Sequence, residues 1–295
     1  MNIVLIGCVH SSWQFLQALL EMPQITVVGV VSRRQSEHNA DFVDLTPLCE
    51  QQHIPLHYYS AAEPSATVRF IRQLKPDLLY CFGWSLLLPA EILQLPSIAA
   101  VGFHPAKLPE NRGRHPIIWA LALGLKQTAS SFFMLDEGAD SGPLLSQQLL
   151  PILPDDNATS LYRRIMAIAV VQMQQMTIAF VNGTIRPEPQ NHALANYWRK
   201  RGYQDGQIDW RMSAEAIHNL IRALAPPYPG AHFVYKSTTL VVQHSELSQQ
   251  PARQNLEPGR VLATTADKIL VKCQQSGAIW LCDLPGHQIQ TGECL

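Results

Sequence analysis

Four short apolar runs in the first third of the chain most constrain what it can fold into: residues 2–7, 25–31, 78–82 and 98–102. The second reads ITVVGVV and is rich in β-branched residues. Helical patterns separate them, from about Trp13 to Leu20, across 65–74 and around 89–94. Strands alternating with helices imply parallel strands joined by crossover helices. Near-continuous apolar strands suit a sheet covered on both faces. The chain is therefore expected to open with an α/β domain, and ligands of such sheets bind outside the carboxyl ends of the strands.

The pattern then changes. Residues 127–135 and 143–150 read as two strands flanking an acidic loop. A long helical pattern follows from about Ser160 to Val181, with Asp156, Asn157 and Thr159 as N-cap candidates and Asn182-Gly183 as a stop. Residues 184–200 carry Pro187 and Pro189 and read as a linker. Beyond Lys200, one helix at about 213–224 precedes short β-rich runs near 232–236, 239–244, 259–264, 268–272 and 278–282. These suggest a small β-barrel-like domain. The expected division is 1–190 and 200–295.

Charge narrows the partners. The 22 Lys and Arg against 23 Asp and Glu give a formal net charge of -1, which advertises no polyanionic partner. Residues 200–295 hold nine Lys/Arg and eight Asp/Glu, so the second domain is near neutral. None of the six cysteines forms a CxxC pair, so reduced thiols are expected and no metal site. MNIVLIG lacks a basic n-region and reads as a strand rather than a signal peptide. No apolar run approaches the roughly 18–20 residues that span a bilayer. A cytoplasmic location without membrane association is expected.

The residues with chemical potential cluster in 102–142, GFHPAKLPENRGRHPIIWALALGLKQTASSFFMLDEGADSG. His104 ends an apolar run and should lie at the carboxyl end of a strand, where a lone histidine is still more often structural than catalytic. Arg112 and Arg114, in a loop shaped by prolines and a glycine, offer an anion site or simply solvated cations. Asp140 shares DEGADSG with Asp136 and Glu137, which alone reads as a polar turn. Placed beside His104, it would orient the imidazole or take a proton from an amine. Phe82 and Trp84 in CFGWSLLLP would stack on a flat heterocycle or fill the core at a strand end. GCVHSS at 7–12 contains no GxGxxG, and Ser11 and Ser12 read as helix caps. Trp198, Tyr203 and Trp210 would line a ligand surface or seal a seam.

These residues resemble the 10-formyltetrahydrofolate-dependent formyltransferases. His104, Pro109, Arg112, Gly113, Pro116, Trp119, Gly124, Asp140 and Gly142 follow that family's central pattern in order, and QDGQIDW, SAEAIHNLIRAL and PPYPGAHF are similar to the start of its accessory domain. The resemblance implies a Rossmann-like catalytic domain with a smaller β-rich C-terminal domain. It implies formyl transfer from 10-formyltetrahydrofolate to a primary amine, with His104 and Asp140 catalytic and no metal. The co-substrate is implied to meet Phe82, Trp84, Leu87, Arg112, Gly113, Asp136 and Gly138. Two branches offer acceptors: the amine of a nucleotide-linked amino sugar, as in cell-surface polysaccharide synthesis, or methionyl-tRNA. The near-neutral second domain favours the sugar, because tRNA affinity rests on phosphate neutralisation. A homodimer is a further expectation.

The chain departs from the family at Gly102, where the pattern has an asparagine whose amide stabilises the oxyanion. Loss of such a donor can cost about 10²–10³ in rate. That departure keeps open a third reading, a folate or nucleotide binder with impaired catalysis. Replacement donors would be a backbone N–H, a protonated His104 or Asn111. Ser130 and Ser131 offer hydroxyls nearby.

Overall fold

The computed structural model describes residues 1–35, 40–284 and 288–295. In chain order its elements are β1 (Asn2–Ile6), α1 (His10–Leu20), β2 (Thr26–Ser32), α2 (Thr46–Gln51), β3 (Leu56–Tyr58), α3 (Pro64–Leu74), β4 (Leu78–Cys81), α4 (Ala90–Leu93), β5 (Ala99–His104), β6 (Arg112–Gly113), α5 (Pro116–Ala122), β7 (Gln127–Met134), β8 (Leu144–Pro151), α6 (Ala158–Val181), β9 (Tyr197–Trp198), α7 (Ala214–Ala223), β10 (Ala231–Tyr235), β11 (Thr238–Val242), β12 (His244–Leu247), β13 (Val261–Thr264), β14 (Ile269–Lys272) and β15 (Ala278–Cys282). Two compact units emerge. One comprises 1–113, 128–150 and 164–198, and the other 114–127, 151–163 and 199–295.

The first unit is built on a seven-stranded sheet in the order β3-β2-β1-β4-β5-β7-β8. Its first five strands are mutually parallel. β7 joins β5 antiparallel, with Gly102 opposite Phe133 and His104 opposite Ser131. Alternation along the strands splits the core in two. Val4, Ile6, Val31, Leu79 and Ala100 pack with Val68 and Ile71 of α3 and with Ile92 of α4. Another cluster is aromatic: Phe15 of α1 meets Phe82 at 4.8 Å, Phe103 at 5.2 Å and Phe132 at 5.8 Å between ring centres. Such tilted and edge-on pairs add about 0.5–1.5 kcal/mol each beyond burial.

α6 corrects the expectation that no apolar stretch reaches membrane-spanning length. Among the described residues it alone is long and apolar enough by composition. Its buried stripe of Ile165, Ala169, Met173 and Met176, however, belongs to the core. Thr177 meets the buried Tyr80 hydroxyl at 2.7 Å, and Gln172 accepts from Ser130 Oγ at 2.7 Å. The helix starts as the sequence suggests, with Asn157 Oδ1 accepting the Ser160 N–H at 2.9 Å.

In the second unit α5 packs on α7, and the β-rich part is shared between a β10–β11 hairpin and a sheet ordered β12-β15-β14-β13. Ile217 and Ile221 of α7 are buried, as are Val271, Ile279 and Leu281 of the sheet. Arg222 of α7 donates to the Asp156 carbonyl at 2.9 Å. Trp210 is 8% exposed and packs edge-on to Phe233 at 5.4 Å. It is a core residue of this unit. His115 precedes α5, and burial first, then Arg114, Arg201 and Lys200, push its imidazole down to about 4.

A Cβ on Gly7 would stand 2.3 Å from the Phe82 carbonyl oxygen, a backbone atom that cannot swing aside. Gly7→Ala is expected to destabilise the protein by about 2 kcal/mol or more, read by urea unfolding. His115 takes up its proton less readily folded than unfolded, so its contribution is intact above about pH 6.5 and is lost as the pH falls from there towards 4. His115→Gln is expected to flatten that part of the melting-temperature profile.

Candidate active site

The antiparallel turn from β5 to β7 decides how the key side chains meet. β7 runs away from the carboxyl end of β5 and stops opposite Val101. The loop 135–143 must therefore fold back to bring its carboxylate to the imidazole. It does so: Asp140 Oδ2 lies 3.6 Å from His104 Nδ1. His104 is 4% exposed. Its other nitrogen, Nε2, is 2.7 Å from the carbonyl oxygen of Asn111. A carbonyl can only accept, so Nε2 carries a hydrogen, and Nδ1 faces the Asp140 carboxylate, bare in the neutral ring and a donor in the imidazolium. Asp140 Oδ2 also accepts the Gly113 N–H at 2.8 Å.

The backbone around this pair is unusual. Asn111 has φ 64° and Asp140 φ 54°, left-handed values that non-glycine residues rarely adopt. Strain of this kind persists where neighbours over-determine it and gathers at functional sites. Gly113 has φ 102°, and a Cβ there would stand 2.3 Å from the Trp198 carbonyl oxygen. Here the close approach of β9 demands glycine.

The structure sorts the other sequence candidates. Phe82 is completely buried among Phe15, Tyr80 and Phe132, so it is a core aromatic and cannot stack on a ligand. Trp84 is half-buried, edge-on to Tyr59 at 5.6 Å, with Arg33 at 4.9 Å from its ring centre. Leu87 is 66% exposed and Leu86 44%. This apolar surface follows β4, whose Cys81 pairs with Gly102 of the His104 strand.

From sequence, Arg112 reads as an anion site or a solvated cation. Instead it is 1% exposed, with Nε and Nη2 donating to Gln190 Oε1 at 3.2 and 2.6 Å and Nη1 to the Tyr197 hydroxyl at 2.9 Å. Its guanidinium is committed to protein acceptors. Asp136 Oδ1 accepts from the Gly138 N–H at 3.0 Å and from Ser141 Oγ at 2.7 Å, which closes the loop on itself. Ser12 Oγ donates to the Phe82 carbonyl at 2.6 Å and accepts from the Val9 N–H at 3.2 Å, a cap contact as expected. Ser130 and Ser131 are buried and donate to Gln172 and to the Ala106 carbonyl, so neither hydroxyl is free.

The segment that reads as a linker is where sequence and structure differ most. Residues 188–198 run across the loops of the first unit. Glu188 bridges to Leu144, Gln190 is buried, and β9 pairs in parallel with β6. Tyr197-Trp198, two β-formers within polar sequence, is the available hint of that strand. Gln190 carries no signal.

Gly102 is also explained locally. A Cβ there would stand 2.7 Å from Phe133 Cζ and 2.8 Å from Leu135 Cδ2. The ends of two apolar side chains stand where a side chain at this position would begin.

Comparison with known proteins identifies the family. The model described as "Formyl transferase" matches residues 1–177, and "Formyl transferase, C-terminal domain" matches 201–293. The chain is a member of the formyl transferase family and is a formyl-transfer enzyme. Methionyl-tRNA formyltransferase of Acidithiobacillus ferrooxidans is 31% identical over 220 residues, covering 75% of this chain and 69% of its own. That of Pelobacter propionicus is 28% identical over 275 residues, covering 92% and 85%. Among solved structures, the sugar 3N-formyl transferase WlaRD, with dTDP and 5-N-formyl-THF, superposes with a TM-score of 0.72 at 14% identity, covering 96% of this chain and 98% of its own. The N-formyltransferase of Helicobacter canadensis, with folinic acid and dTDP-3-aminofucose, gives 0.72 at 16%, covering 95% and 98%. These two likenesses establish the shared fold: a Rossmann-like domain followed by a β-rich one.

Gly102→Asn should not improve this site. The ends of the Phe133 and Leu135 side chains must shift to admit the new side chain, at an expected cost of about 1 kcal/mol, measured by chemical unfolding.

Proposed function

We propose that this enzyme moves the formyl group of 10-formyltetrahydrofolate to the primary amine of a nucleotide-linked amino sugar, with His104 and Asp140 handling the proton. The supporting observation is the 3.6 Å approach of His104 Nδ1 to Asp140 Oδ2. In the neutral ring two proton acceptors face each other there, and a proton entering the gap joins them. An amine that attacks a formyl carbon must shed such a proton. The ring nitrogen takes it, and the carboxylate stabilises the imidazolium that results. The Asn111 carbonyl holds Nε2–H throughout and fixes the tautomer.

10-Formyltetrahydrofolate supplies an electrophilic formyl carbon; as the bond to the acceptor amine forms, the carbon–N10 bond breaks, and N10 leaves with the proton that the amine gave up. Trp84 and the exposed Leu86 and Leu87 offer an apolar surface suited to its flat ring, at the end of the strand beside that of His104. Gly113, Asp136 and Gly138 act through the loop backbone that surrounds Asp140, and Gly113 does so directly through its N–H. Gly102 leaves no side-chain donor of its own for the oxyanion. A backbone donor or the His104 imidazolium serves in this reading.

The sugar acceptor is favoured by the near-neutral second domain and by the bound dTDP and dTDP-3-aminofucose of the fold relatives. Methionyl-tRNA is the second reading, favoured by the higher sequence identity to methionyl-tRNA formyltransferases. The test is incubation with 10-formyltetrahydrofolate and a panel of amino-nucleotide sugars, with methionyl-tRNA in parallel, and formylated product followed by mass. Product with a sugar, falling about 10²–10⁴-fold in His104→Ala and Asp140→Asn, is expected. Product with tRNA alone would establish the second reading. No product despite folate binding would make the chain a binder.

A further inference from the structure

We propose that the segment 188–198 is a positioning strap, acting through Gln190 on Asp140 and through Asn196 on His104. This rests on the catalytic reading of those two residues. Gln190 is 6% exposed, and its amide is saturated. Nε2 donates to the carbonyl oxygens of Asp140 at 2.9 Å and Gly142 at 2.7 Å. Oε1 accepts from Arg112 at 3.2 and 2.6 Å. One buried side chain thus ties the backbone of Asp140 itself to the strand that follows Asn111. His192 Nδ1, 3.3 Å from Arg112 Nη2, and the Tyr197 hydroxyl complete the guanidinium's partners.

Asn196 does the corresponding work on the imidazole side. Its Oδ1 accepts the Asn111 N–H at 2.7 Å, and its carbonyl accepts the Arg112 N–H at 3.1 Å. The Asn111 carbonyl is the acceptor for His104 Nε2–H. Asn111 and Asp140 are two of the left-handed residues of this unit, and each is held by a strap amide. Misplacing a reacting group by about 1 Å can cost 10²-fold in rate without touching the chemistry itself.

The amide chemistry makes two near-isosteric changes diverge. Gln190→Glu keeps an acceptor for Arg112 but loses both donors, and it turns a carboxylate oxygen towards two carbonyl oxygens. Asn196→Asp keeps the acceptor that the Asn111 N–H needs. A merely structural anchor to Arg112 would tolerate both, since Glu pairs with arginine at least as well as Gln.

The experiment compares the wild type with Gln190→Glu, Asn196→Asp, Asn196→Ala and His104→Ala, using 10-formyltetrahydrofolate and dTDP-3-aminofucose. It reads kcat and KM separately, melting temperature, and the His104 ring signals in two-dimensional NMR, which need no acceptor. Gln190→Glu should remain folded, lose about tenfold or more in kcat with KM little changed, and move the His104 signals. Asn196→Ala should also lower kcat and move those signals, while Asn196→Asp should restore the wild-type values. Wild-type kcat and unshifted ring signals in folded Gln190→Glu would overturn the proposal. Should that variant not fold, the Asn196 pair decides, and equal behaviour of Asn196→Ala and wild type would overturn it. Retained activity in His104→Ala would instead sink the catalytic reading. If the sugar is no acceptor, the ring signals decide alone: shifts in Gln190→Glu support the strap, and their absence overturns it.

Discussion

The structure turns on an imidazole nitrogen and a carboxylate oxygen held face to face. His104 gives its Nε2 hydrogen to a carbonyl, so that in the neutral ring Nδ1 is an acceptor opposite the acceptor Oδ2 of Asp140. Left to relax, such an arrangement would separate or draw in a proton. It is held because each member is tied elsewhere: the imidazole to Asn111, the carboxylate to the Gly113 N–H, and the backbones of Asn111 and Asp140 to side-chain amides from residues 188–198. Left-handed backbone at two non-glycine positions costs free energy, and these contacts offset it.

The parallel sheet makes this possible. β5 brings His104 to its carboxyl end, and the antiparallel β7 forces the next loop to return over the strand rather than leave it. Gly102 fits the same logic, since Phe133 and Leu135 fill the space beside it. Where the family pattern has an amide, this chain places apolar side chains.

Much of the first unit is legible in the sequence because its signals are local. The apolar runs at 2–7, 25–31, 78–82 and 98–102 correspond to β1, β2, β4 and β5, shifted by a residue or two. The pairing of His104 with Asp140 comes from family resemblance, because the long intervening segment and a strand reversal hide it from spacing. β3 is three residues long, too short for a pattern to mark it. Phe82 and Arg112 mislead for a common reason: an aromatic or a guanidinium looks equally available in sequence whether it is buried or free. Gln190 cannot be found at all, because an amide saturated by four tertiary bonds leaves no periodicity and no motif.

The tautomer of His104, read by nitrogen-15 NMR of the ring at pH 8 in the free enzyme, tests the proposed proton acceptor most directly. A neutral imidazole with hydrogen on Nε2 and a bare Nδ1 is expected. A hydrogen on Nδ1, donated to Asp140, would leave no basic atom facing the carboxylate and would contradict that role.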